Sequence, residues 1–114
     1  MSESPIEKDR NRRAQLEKIM TQLPEVRKHL GGLVEATYKD GALDEKTKRL
    51  MSLAIALGVG CENCTLGQVN AALDLGATKD EILETLEVVI SMRGTTGVAE
   101  SLKIIQLLDE MKKL

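Results

Sequence analysis

The chain has 114 residues, 42% hydrophobic and 30% charged, a length and balance that fit one soluble domain over residues 1–114. Its net charge of -2 comes from interleaved acids and bases, so it offers neither the basic field that nucleic acid needs nor an acidic tail. Tyr38 is its single aromatic residue, which leaves a thin core for a monomer and favours self-association.

In chain order, the N-terminus is charged from Glu3 onward and lacks the apolar stretch of a secretory signal. A cytoplasmic protein is expected. Pro5 opens a first helix with Leu16, Ile19, Met20 and Leu23 on one side and dense charge from Glu7 to Arg13, read as a peripheral arm over residues 1–23. Pro24 suits the first turn of a second helix that reaches about Tyr38, with Val26, Leu30, Leu33 and Val34 on its apolar side. Gly31 and Gly32 fall in its middle, and each costs roughly 1 kcal/mol against Ala. A close helix crossing or a break is expected there.

Lys39-Asp40-Gly41 reads as a turn, and Asp44 precedes a third helix with Leu50, Leu53, Ala54 and Leu57 on one side, closed by Gly58 and Gly60. The run from Leu50 to Val59 is nearly apolar but about half the ~20 residues a membrane helix needs, so a buried helix and no membrane partner are expected. A fourth helix starts near Cys61 and stops at Gly76. Thr78 and Glu81 have the spacing of a capping box that starts a fifth helix, with Ile82, Leu83, Leu86, Val89 and Ile90 apolar, ending near Arg93-Gly94. Thr95-Thr96-Gly97 reads as a cap before a last helix from about Gly97 to Lys112. The fold class is therefore all-α, with about six helices.

Cys61 and Cys64 form a C-x-x-C with three readings. A structural zinc needs four N or S ligands, and one chain adds only the distant His29, so two chains would share the ion. Two buried, inert thiols are the second reading. The third is redox chemistry, which the helix start favours: unpaired N–H groups and the positive dipole end lower a thiol pKa there. The two-residue spacing also sets the thiols one turn apart, so that one attacks and the other resolves. In a reducing cytoplasm a catalytic or metal-binding pair is preferred over a permanent staple.

The block from Leu43 to about Leu108, containing LDEKTKRLMSLAIALGVGCENCTLGQ and the Gly-Ala-Thr cap after it, resembles the carboxymuconolactone decarboxylase and alkylhydroperoxidase D-like superfamily. The resemblance implies a compact helical subunit with an antiparallel helix hairpin at its core, a trimer or hexamer, and no bound organic cofactor. For members with the cysteine pair it implies hydroperoxide reduction or electron transfer with a thiol partner protein, with Cys64 attacking and Cys61 resolving. Helix-dipole logic favours Cys61 as the attacker instead.

The peroxidase pattern has a His four residues after the second Cys and a Glu twelve before the first. Gln68 and Arg49 stand there, and neither can relay a proton at neutral pH. In a hairpin both rise roughly 13 Å from the bend, and Gln68 is i+4 from Cys64, so Arg49 is expected to support the thiolate by charge. Surface roles for both are the plainer alternative. Glu62 is expected to favour the helix start, or to accept a proton locally. His29 is the one candidate base for a lactone-processing decarboxylase, and a non-catalytic scaffold with vestigial cysteines is the remaining alternative.

Overall fold

The computed structural model describes residues 3–114 and has six α-helices: α1 Pro5–Gln22, α2 Pro24–Tyr38, α3 Glu45–Val59, α4 Glu62–Asp74, α5 Lys79–Arg93 and α6 Thr95–Glu110. Their starts follow local chemistry. Asp44 accepts the Thr47 N–H at 2.8 Å at the head of α3. Thr78 and Glu81 close the capping box expected for α5, and Ser4 and Glu7 close a second one at α1. Leu23 alone joins α1 to α2, where Pro24 needs no N–H partner.

The core forms where α3, α4, α5 and α6 turn their apolar stripes inward. Leu53 and Leu57 of α3, Val69 of α4, Ile82 of α5, and Ile104 and Leu108 of α6 are fully buried. Among the described residues this core holds no aromatic side chain, as the composition requires. Helices α3 and α4 pair as an antiparallel hairpin across the Gly60–Cys61 bend. The α5–α6 hairpin closes through Gly97, where an added Cβ would meet the Val89 carbonyl oxygen at 2.9 Å and the Ile90 Cα at 3.1 Å. Gly97 therefore lies inside α6 and permits a close approach. The cap expected at Thr95-Thr96-Gly97 is instead the first turn of α6, which follows Gly94.

The arms differ from expectation in two ways. Helix α2 runs unbroken through Gly31 and Gly32, and nothing in the chain approaches either glycine, so neither the crossing nor the break occurs within the subunit. Helix α1 is peripheral only toward its C-terminal half: Pro5 and Asp9 are buried, and the Ile6 N–H donates to Glu110 Oε1 at 2.8 Å. No helix among the described residues is long and apolar enough to cross a membrane.

Candidate functional site

The hairpin bend is built so that the cysteines have little freedom. Gly60 takes φ 78°, a left-handed conformation that any Cβ would strain, and thereby ends α3. The N–H groups of Gly60 and Cys61 both donate to the Ala56 carbonyl at 3.0 Å. Arg93 donates from Nη1 to the Leu57 carbonyl at 2.7 Å, pinning the same helix end from α5.

Cys61 then occupies the N-cap of α4, and its Sγ accepts the Cys64 N–H at 3.3 Å. The thiol thus fills the place a Ser or Asp side chain takes at other helix starts. Both cysteines are unbridged; Cys61 is half-buried and Cys64 exposed. A hydrogen bond from the Cys64 thiol, joined by the Cys64 N–H, holds the Cys61 pKa below the usual thiol value. The same shared proton, with desolvation, pushes Cys64 up, and Arg12 acts against that rise. Cys61 is therefore the more acidic thiol of the pair, chiefly through the Cys64 thiol and secondly through the helix-start N–H.

Cys64 opens onto a groove of about 730 Å³ between α1 and α4, whose wall includes Lys8, Arg12, Leu16, Ile19 and Glu62. Its far end is apolar and its thiol end charged.

The other expected site residues fall into two groups. Arg49 and Gln68 meet as the hairpin geometry requires, with Arg49 Nη1 donating to Gln68 Oε1 at 3.1 Å. Arg49 also stacks on the Tyr38 ring, 3.5 Å from guanidinium carbon to centroid, and approaches Glu45 at 4.0 Å. These contacts tie Arg49 to α2 and to its own helix; the one arginine that shares the groove with Cys64 among the described residues is Arg12, on a helix on which no site residue was expected.

Glu62 bridges Lys8 at 3.2 Å and Lys103 at 3.4 Å. The Lys8 hydrogen bond foremost depresses its pKa, which suits a tie between α1, α4 and α6 better than a proton acceptor. His29 is exposed on α2 beside Glu25 and lines no part of the groove, so the subunit brings it no closer to the thiols. Among the described residues no three His, Cys, Asp or Glu side chains gather as a metal site.

Comparison with known proteins adds the lineage. Residues 24–107 match the model of the carboxymuconolactone decarboxylase family. The chain belongs to this family. The match begins at α2, earlier than the expected core of residues 43–108, and leaves α1 outside. The Paracoccus denitrificans protein named "Uncharacterized protein 4 in cox locus" is 37% identical over 79 residues, which cover 69% of this chain and 71% of that one.

Among solved structures, a carboxymuconolactone decarboxylase family protein of Legionella pneumophila, in its apo form, superposes with a TM-score of 0.82 at 32% identity, covering 89% of this chain and 90% of its own. A Thermotoga maritima member of the family, for which a part in the antioxidative response has been suggested, gives 0.78 at 26% identity, over 92% and 90% of the two chains. The six-helix, all-α architecture is thus that of the family.

Proposed function

We propose that this family member is a thiol–disulfide oxidoreductase that reduces a hydroperoxide, or exchanges electrons with a thiol partner, through Cys61 and Cys64. The observation that carries the reading is the seating of the pair. Cys61 caps α4 with its sulfur on the Cys64 N–H, while Cys64 is exposed on the wall of a groove. The antioxidative role suggested for the Thermotoga relative agrees with it. Self-association as a homo-oligomer and function without an organic cofactor belong to the same proposal.

The difference in acidity between the two thiols sets the order of steps. The Cys64 thiol passes its proton to the Cys61 thiolate, and the Cys64 sulfur attacks the terminal oxygen of the hydroperoxide. An S–O bond forms, the O–O bond breaks, and the departing alkoxide takes the proton from Cys61 to leave as alcohol. Cys61, again a thiolate, attacks the Cys64 sulfenic acid; the S–S bond forms and hydroxide leaves, protonated by solvent. The sulfur pair loses two electrons and the peroxide gains them. A reducing thiol would then attack exposed Cys64 and expel Cys61, since a low-pKa thiolate leaves faster.

In this scheme Cys61 does the proton handling for which Gln68 and Arg49 are unsuited. Cys64 attacks because it is accessible, and Cys61 resolves because it is the more acidic thiol of the pair.

The test is alkylation and mass spectrometry across a glutathione redox series, run with a hydroperoxide-consumption assay. Reversible interconversion of dithiol and disulfide in the folded protein is expected, with consumption abolished in Cys64→Ser. A pair that stays reduced across the whole series would remove the redox reading and leave the family assignment standing.

A further inference from the structure

Helix α1 contributes a charge cluster that the family match does not include. Asp9, buried at 7% exposure, accepts from Arg12 Nε through Oδ1 at 3.0 Å; Arg12 Nη2 lies 2.9 Å from the same oxygen and Arg13 Nε 2.9 Å from Oδ2 as ion pairs. The buried carboxylate thereby holds the Arg12 guanidinium in place. The held guanidinium lies flat over α4. Its Nη1 is 3.4 Å and its Cζ 3.5 Å from where a Cβ on Gly67 would sit, one turn along from Cys64. Arg12 thus packs directly on this face of α4, where a Cβ would meet it at ordinary contact distance and a larger side chain would displace it. Arg12 and Cys64 line the same groove.

We infer that Arg12, latched by buried Asp9 and seated on Gly67, is the positioning residue that sets the reactivity of the Cys64 thiol from outside the family core. The inference rests on the reading of Cys61 and Cys64 as the redox pair, and it gives α1 a part in the chemistry. Of the two arginines on Asp9, only Arg12 lines the groove. The other charged groups about the thiols are Glu3 and Lys8, which share the groove, and Glu62 on α4 with Lys103 and Glu100 on α6; Glu62 pairs with Lys8 and Lys103, and Lys103 with Glu100. Arg12, although paired with Asp9, is the guanidinium held in the groove with Cys64, where its charge favours a developing thiolate.

The experiment isolates Cys64 in the full-length Cys61→Ser chain and follows its iodoacetamide alkylation rate against pH, with no turnover required. Arg12→Gln is expected to slow alkylation at pH 7 by at least about threefold by moving the profile upward, and Arg12→Lys to restore most of the rate. Gly67→Leu, which keeps every charge but fills the seat, should slow it in the same direction. Arg13→Gln changes the net charge equally from a side chain 57% exposed, and should leave the profile in place.

An unchanged profile in both Arg12→Gln and Gly67→Leu overturns the proposal, and so does an equal shift in Arg13→Gln, which would mean diffuse charge and no positioning. If Arg12→Gln does not fold, Gly67→Leu alone decides. The glutathione series on the unmodified pair is a separate measurement, so failure of the redox reading and failure of the Arg12 assignment are told apart.

Discussion

At the scale of single residues, the pair divides its labour through one shared proton. Cys61 has the lowered pKa because the Cys64 thiol donates to it first, and the Cys64 N–H second. A lowered pKa means that the Cys61 thiolate persists to more acidic pH than a free cysteine allows. Removing the larger cause should reverse this. Cys64→Ala retains the backbone N–H and deletes the thiol donor, so Cys61 alkylation at pH 7 is expected to fall at least about twofold, with its profile displaced to higher pH. A profile equal to that of the intact reduced protein would assign the depression to the helix end alone.

Among the helices, the decisive contact is the α5–α6 approach at Gly97. The neighbours that a Cβ would meet there are backbone atoms of α5 and the Arg93 Cβ, none of which is a flexible side-chain end. Gly97→Ala should therefore destabilise the fold by about 1–3 kcal/mol, the usual range for overpacking, against the gain of up to about 1 kcal/mol that Ala brings to an open helix. Urea unfolding followed by circular dichroism measures the difference. A stabilised Gly97→Ala would show that the helices separate without cost. The strain would reach the site as well, because Arg93, on the same turn of α5, holds the end of α3 beside Cys61.

For the whole molecule, the apolar surface is the dominant feature. No residue of α2 is buried, and Leu33 is 62% exposed, Ile55 on α3 65% and Met92 on α5 82%. Such faces on a subunit with a small core are covered in solution by other copies of the chain under the proposal made above. Sedimentation equilibrium is expected to show an oligomer at micromolar concentration. Leu33→Glu and Ile55→Glu together should shift it toward the 12.5 kDa monomer while the helical circular dichroism is kept. A wild-type monomer at that concentration would end the proposal of self-association.

The sequence by itself determined the helices, because caps, turns and 3.6-residue periodicity act over four residues or fewer. The Thr78–Glu81 box, the Gly60 stop and Cys61 at the helix start are of this kind, and Arg49 meets Gln68 once the two helices pair as a hairpin. The Ser4–Glu7 box is equally local, spelled by Ser-Pro-Ile-Glu with Pro5 at the first helical position.

Only the tertiary structure decided which guanidinium shares the groove with Cys64. Arg12 and Arg49 are alike as residues, and their side chains span several ångströms, so the choice depends on how α1 crosses α4 and on what else each guanidinium meets. Arg49 finds Tyr38, Glu45 and Gln68, whereas Arg12 finds a buried carboxylate and a glycine seat beside Cys64. Gly97 and the Gly31–Gly32 pair teach the same lesson from the backbone. A glycine marks a possible close approach, but whether another helix arrives there is fixed by packing between segments distant in the chain, and no local rule carries that information.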